Sequence, residues 1–136
     1  MANLTITVAS VARGTGSQVS SGTADVAITQ GQSVYLDTTT LTVKLADADL
    51  LASASTNVGV SLNAAAAGQP VTYQTTGPIT IGATVATGAA YYVSATAGSI
   101  CLESDLTTGD FPLLLGFATS TTVINLLPFA ARVAKA

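Results

Sequence analysis

The chain has 136 residues, room for one domain around one core, and 8% of them are charged, against roughly 25% in a typical soluble domain. Seven acids stand against four cations, with no histidine and one cysteine, for a net charge of −3. Four scattered cations (Arg13, Lys44, Arg132 and Lys135) cannot neutralise a run of phosphates, which excludes charge-driven binding to nucleic acid or to an anionic membrane. The missing imidazole excludes His-based acid–base catalysis and a Ser-His-Asp triad. A surface with so little charge is poorly protected against association, so burial against copies of the chain or against a partner is expected.

Leu4-Thr5-Ile6-Thr7-Val8 alternates apolar and hydroxyl residues, the period of a half-buried strand. Arg13 to Thr23, with Gly14, Gly16 and Gly22, reads as a long flexible loop or arm. Ala24 to Thr29 is a short strand candidate. Ser33 to Asp37 then places Val34 and Leu36 on one face, Thr38-Thr39-Thr40 makes a turn, and Leu41, Val43 and Leu45 return as the second strand of a hairpin. Asp47 to Leu51 has the form of one helical turn capped by Asp47. Val58, Val60 and Leu62 open the next strand, and Ala64 to Gly68 is a small-residue loop. Val71 and Tyr73 share a strand face. Thr75-Thr76-Gly77-Pro78 reads as a turn, followed by Ile79 and Ile81. Tyr91 and Val93, a turn at Gly98, and Ile100 and Leu102 form a second hairpin. After a turn at Thr107-Thr108-Gly109-Asp110, Leu113, Leu115 and Phe117 alternate, and Ile124 and Leu126 complete the core before Pro128 breaks the pattern.

Residues 31–60 align without a gap on residues 88–117. Gly31 falls on Gly88, Tyr35 on Tyr92, Thr39 on Thr96, Leu45 on Leu102 and Gly59 on Gly116. The chain thus presents one hairpin unit twice, at a period long enough for a supersecondary repeat. Eight to ten short strands with regular turns predict an all-β fold, a compact barrel or sandwich. The expected organisation is an N-terminal strand and Gly/Ser arm over 1–23, a single β domain over 24–127, and a peripheral tail over 128–136.

The remaining residues offer little chemistry. Asp47 with Asp49, and Glu103 with Asp105, are paired carboxylates at equivalent places in the two repeats. They lack the ligand density of a calcium loop and read as solvated acids. Gly14 and Gly16 lead into Ser17-Gln18-Val19, not into a lysine-bearing helix, so no phosphate loop is present. Cys101, without a histidine to activate it, reads as a small buried hydrophobe. No catalytic residue, cofactor or metal is expected. Met1-Ala2-Asn3-Leu4 has no basic region and no apolar run, so neither a signal peptide nor a membrane span is expected, and synthesis in a cytoplasm is the expectation.

Gly31-Gln32-Ser33-Val34-Tyr35-Leu36-Asp37, then Val58-Gly59-Val60-Ser61-Leu62 followed by the Ala-rich run to Gly68-Gln69-Pro70-Val71, and later Tyr91-Tyr92-Val93-Ser94 with Leu115-Gly116-Phe117-Ala118, form an ordered set. Over about residues 26 to 127 that order resembles the small decoration, or cement, proteins on the heads of tailed bacteriophages. The resemblance implies a non-enzymatic structural virion protein on the capsid exterior, partnered by the major capsid protein and by itself, as a homotrimer. The candidate contact residues are Leu4, Ile6 and Val8, whose strand either adds to a neighbour's sheet edge or completes its own sheet. Arg13 in the arm and the aromatic anchors Tyr35, Tyr73, Tyr91 and Tyr92 complete the set. The alternative is a receptor-binding or tail-fibre adhesin domain, which predicts exposed aromatics beside acids.

Overall fold

The computed structural model describes residues 3–49, 57–130 and 133–135. Ten strands run through them: β1 (Val11–Arg13), β2 (Gln18–Ala24), β3 (Ser33–Asp37), β4 (Thr42–Leu45), β5 (Val58–Ser61), β6 (Pro70–Ile81), β7 (Ala90–Val93), β8 (Ile100–Leu102), β9 (Leu113–Ala118) and β10 (Val123–Ala130). The only helical elements among the described residues are two short 3₁₀ turns, Val8–Ser10 and Glu103–Asp105. The strands form one mixed sheet in the order β2-β4-β3-β5-β6-β10-β9-β7-β8, with β1 also on β6. The protein is all-β, as its alternating apolar residues predict.

The sequence repeat is a structural one, carried in register. In the first hairpin Val34 faces Leu45, Tyr35 faces Lys44 and Leu36 faces Val43. In the second, Tyr91 faces Leu102, Tyr92 faces Cys101 and Val93 faces Ile100, each pair displaced by 57 residues (Val34 to Tyr91). The third strand of each unit pairs on the other edge of the first: Val34 with Gly59, and Tyr91 with Gly116. Gly31 and Gly88 enter the units with the same backbone, φ +84° in both. Their N–H groups donate to Ser61 O and Ala118 O, again at equivalent places.

The repeats share one long strand. β6 is twelve residues, and the turn predicted at Thr75–Pro78 is instead its middle. Its first half pairs with β2 and β5, and its second half with β10 and β1. Gly77, at φ +91°, lets the backbone swing between these partners. The buried Gln74 side chain supports the bend by donating from Nε2 to the carbonyls of Thr76, Gly77 and Pro78 at 3.2, 3.0 and 2.8 Å. Turn residues make this bend without ending the strand because the edges on both sides of it are paired.

The segment predicted as a flexible arm is β1, a tight turn and β2. β2 pairs antiparallel with β6 from Gln18 to Thr23 and parallel with β4 at Thr23 and Ala24. The boundary drawn at residue 23 therefore falls inside a strand. β6 also pairs with β2, and Ala24, Ile28, Val34, Val43, Ala65, Val71 and Tyr73 form one buried cluster. A larger cluster, built on Tyr35, Val58 and Val60 from the first repeat and Tyr91, Ile100, Leu115 and Ile124 from the second, joins the two units.

Leu4–Val8 is not a strand. Leu4 and Ile6 pack against the large cluster, and the segment is tethered by single bonds, Leu4 N–H to Ile100 O and Thr7 N–H to Gly82 O, at 2.8 and 2.7 Å. The bond from Leu4 to Ile100 is the repeat equivalent of Asp25 N–H to Val43 O. The N-terminal segment thus meets the β8 edge where the end of β2 meets β4, held there by one backbone bond. Alternation reported the buried side correctly, but a ladder needs successive bonds and this edge offers one. The expected strand at Ala24–Thr29 reduces to the end of β2 and one bridge, Ile28 with Ala65. The turn predicted from Asp47 is an Asx turn, Asp49 N–H to Asp47 Oδ1 at 2.9 Å, and its last residues, Leu50 and Leu51, lie outside the described residues. Part of the predicted tail belongs to β10, and Lys135 is pinned to the 103–110 loop by its backbone and its ammonium.

Candidate functional site

The expected contact residues separate into interior and surface. Tyr35, Tyr73 and Tyr91 are 4%, 1% and 3% exposed, so they are core residues and not surface anchors. Burial pushes the phenols of Tyr35 and Tyr73 above their ordinary pKa, and the Tyr91 hydroxyl accepts the Ala86 N–H at 2.9 Å. Tyr92, on the opposite face of β7, is half-buried against a small cluster of Ala48, Cys101 and Leu106. Arg13 is exposed but engaged locally, donating from Nε to Ser17 Oγ and from a terminal nitrogen to Ser17 O, at 2.7 and 2.9 Å, across the β1–β2 turn. Val8 is exposed at 42%. The structure does not bring these residues together.

It assembles a different surface, which sequence reasoning missed. On β10, exposure alternates, with Ile124 and Leu126 inward and Asn125, Leu127 and Phe129 outward. On β9, Leu113 and Leu115 point inward, and the register then shifts between Tyr91 and Tyr92. That bulge reverses the phase, so Phe117 faces out at 49% exposed rather than continuing the buried row. Leu127 and Phe129 are 62% and 71% exposed. Cross-strand pairing lays Phe129 and Phe117 in two rows, with Leu127 in the register shift of β10. One runs Tyr92–Leu114–Phe129, the other Ala90–Phe117–Asn125–Pro78. β10 continues through Pro128 because a second register shift, between Leu126 and Phe129, falls there, a place where a missing N–H costs no ladder bond. The signal for Phe129 was its alternation with Leu127 across a proline read as a stop.

Beside the Tyr92 end of the first row lies a cluster of carboxylates on two loops. Phe111 N–H donates to Ala48 O at 2.7 Å and joins the loops. Asp110 is 3% exposed, and its Oδ2 accepts the Thr107 N–H at 2.8 Å and the Thr107 hydroxyl at 3.3 Å. Hydrogen bonding to the Asp110 carboxyl, helped by desolvation and by Asp47, holds Asp49 above the usual carboxylate range. Among the described residues the ion pairs are Lys44 with Asp37 at 2.9 Å and Lys135 with Glu103 at 3.0 Å, the second on the same 103–110 loop. Lys44 first, then the Thr39 N–H, holds the Asp37 carboxyl low, and Asp37 in turn raises Lys44. Among the described residues no group of three His, Cys, Asp or Glu is placed to hold a metal ion.

Cys101 lies behind Tyr92, fully buried. Burial, with a smaller push from Asp105, raises its thiol pKa to about 11, so almost no thiolate exists at neutral pH. A thiol reagent such as DTNB should leave the native protein unlabelled and modify one thiol per chain in denaturant. Native labelling at the rate of a free cysteine would refute the burial.

A shallow hydroxyl-lined concavity, formed by Thr5, Thr7, Ser10, Thr80, Thr84 and Thr122, sits where the N-terminal segment crosses the end of β6. It carries no charged group.

Comparison with protein-family models, with curated proteins and with solved structures found no match to this chain.

Proposed function

We propose that this chain is a non-enzymatic structural virion protein that binds the outer surface of a phage head and stabilises the capsid lattice by clamping neighbouring major capsid proteins. The observation that carries the reading is the outward apolar surface of β9 and β10, with Phe117, Leu127 and Phe129 from 49% to 71% exposed. Exposed apolar surface of this kind marks a site of association. The motifs that resemble the decoration proteins support it, since they lie on β3, β5, β7 and β9, the framework strands of both repeats.

The action is linkage. A protein that binds the assembled lattice and not its separate subunits stabilises the lattice by mass action. Individual contacts can be weak if an oligomer engages several capsid subunits at once. A homotrimer suits that role and is part of the proposal, to be read from sedimentation equilibrium.

The test is co-sedimentation of the purified protein with expanded capsids that lack it. Saturable binding at a fixed ratio to the major capsid protein is expected. No binding by folded protein would overturn the reading and favour a tail-fibre or adhesin domain.

A further inference from the structure

Residues 3–7 lie in a seam that the strands leave open. In the first repeat the outer edge of β4 has a strand partner, since β2 runs parallel to it at Thr23 and Ala24. In the second, β8 pairs with β7 alone among the described residues. Its outer edge meets Leu4, whose N–H donates to Ile100 O, while Thr7 N–H donates to Gly82 O just past the end of β6. Asn3 adds a side-chain bond, accepting from Ser94 Oγ at 2.6 Å. The segment therefore bridges β8 and β6, with Leu4 and Ile6 packed on the large cluster.

The seam is shaped to this occupant. A Cβ on Gly31 would stand 2.8 Å from an Ile6 methyl, and one on Gly82 would stand 2.5 Å from Thr7 O. Both glycines have positive φ, so the backbone itself makes the walls. Crevices remain on either side, one lined by Thr5, Ala83, Thr84 and Leu102, the other by Ile6, Gln30, Gly31 and Ser99. The segment thus sits in a groove wider than itself. The 3₁₀ turn Val8–Ser10 joins it to β1 and has no buried residue and no side-chain cap. Straightened, the three residues of this turn reach about 10 Å, while β1 stays paired with β6.

We infer that this groove takes residues 3–7 from a second copy of the chain, so that copies join by exchanging N-terminal segments about the Val8–Ser10 hinge. The segment already seated in the groove identifies the ligand, and a second copy carries the same segment. Every contact made within one chain is remade between two, so exchange costs only the opening of the hinge and the entropy of association. Each chain gives one segment and accepts one, which closes a pair or a ring with no groove left empty. No charged residue lines either crevice, and residues 3–7 carry none, so the net negative charge of two copies is not brought together at the seam. This exchange is independent of head binding and is read on the free protein.

The experiment unfolds full-length Thr5→Cys/Thr84→Cys in urea and refolds it at high and at low protein concentration. The folded protein is treated with a short bismaleimide and run on a denaturing gel. Thr5 and Thr84 line the same crevice and are both exposed, while the native Cys101 is buried. The reagent therefore links each segment to the chain whose groove it occupies. A segment seated in its own chain gives monomers, and one seated in another chain gives covalent oligomers. Covalent oligomers whose share rises with refolding concentration are expected, with none from either single variant. Monomers alone at both concentrations overturn the inference. Oligomers formed equally by Thr5→Cys alone place the contact outside the groove and also overturn it. Ser10→Pro in the same background removes the Ser10 N–H that donates to Thr7 O and disfavours a helical Ala9. It should raise the covalent share several-fold at a fixed concentration, and an unchanged or lowered share overturns exchange about this hinge. Sedimentation equilibrium of the wild type refolded at high concentration needs no substitution: oligomers are expected, and monomer alone overturns the exchange.

Discussion

Gly59→Ala and Gly116→Ala should each cost about 3 kcal/mol of stability, and by similar amounts although they lie in different halves of the chain. A Cβ on Gly59 would stand 2.1 Å from the carbonyl oxygen of Gln74, and one on Gly116 would stand 2.0 Å from that of Asn125. Neither oxygen belongs to a flexible side chain. Each sits on the strand that follows its repeat, β6 or β10, so relief requires moving one backbone away from another inside a paired ladder. The cost is steric and not conformational, because neither glycine adopts a positive φ. Gly88→Ala is the matching control: it has φ +84° and open space around the position of a Cβ. Its cost is the left-handed backbone alone, about 1 kcal/mol. Urea denaturation of the three variants separates the two mechanisms. Equal losses for Gly88→Ala and Gly59→Ala would remove the argument that close strand approach, rather than backbone freedom, keeps glycine at the repeated positions.

That pair of glycines also explains why the repeat was legible despite few identities. Two of the five positions that survive in both copies are ones where backbone geometry restricts the choice: the φ +84° entry glycines and the glycines under a neighbouring carbonyl. Positions that differ, such as Lys44 against Cys101, face different surroundings, an ion pair with Asp37 in one case and a small apolar cluster in the other. Both hairpins were readable because local alternation and a local turn coincide in them. β2 was not, because Gln18-Val19-Ser20-Ser21-Gly22-Thr23 has neither an apolar face nor a strong strand propensity. It is a strand because β6 holds one edge and β4 the other, a tertiary override of composition. Its Gly22 is required in place by Val43, whose methyl lies 2.9 Å from where a Cβ would be. The outward apolar face of β9 and β10 was hidden for a different reason. Strict alternation from Leu113 and Leu115 puts Phe117 inside, and only the register shift at Tyr91 and Tyr92 turns it out. A bulge is a property of the pairing, so one strand read alone cannot disclose it. The tyrosines failed as anchors by the same logic in reverse: Tyr35 and Tyr91 lie on strands central to their repeats and face the cluster that joins the two units.

Gln74 is the polar residue on which that junction depends, and Gln74→Glu should destabilise the protein by about 3 kcal/mol or more at pH 7. The side chain is fully buried, and its Nε2 donates to three successive carbonyls where β6 leaves β2 and β5 for β10. A glutamate replaces that donor with an oxygen facing the same three oxygens. As a carboxylate it adds a buried charge with no cation beside it; as a neutral acid it keeps one O–H to donate. Burial and the carbonyl dipoles both disfavour the ionised form, so its folded-state pKa rises above the unfolded value of about 4.3. The folded protein then binds more protons than the unfolded chain between those two values. Stability therefore falls as pH rises through that window and recovers as pH is lowered toward 4. Gln74→Leu removes the donors without adding charge. It should cost about 1–3 kcal/mol for the Nε2 donations lost, less at Pro78, whose carbonyl still accepts the Gly14 N–H, with no added pH dependence relative to wild type. Urea midpoints at pH 4 and pH 7 distinguish the variants. A Gln74→Glu loss that is the same at both pH values would mean that water or a shifted backbone solvates the carboxylate. The bend in β6 would then be held by its ladder partners and not by the Gln74 amide. A loss that grows with pH places the coupling of the two repeats on that amide, and makes the handover of β6 from one repeat to the other the part of the fold most sensitive to a single charge.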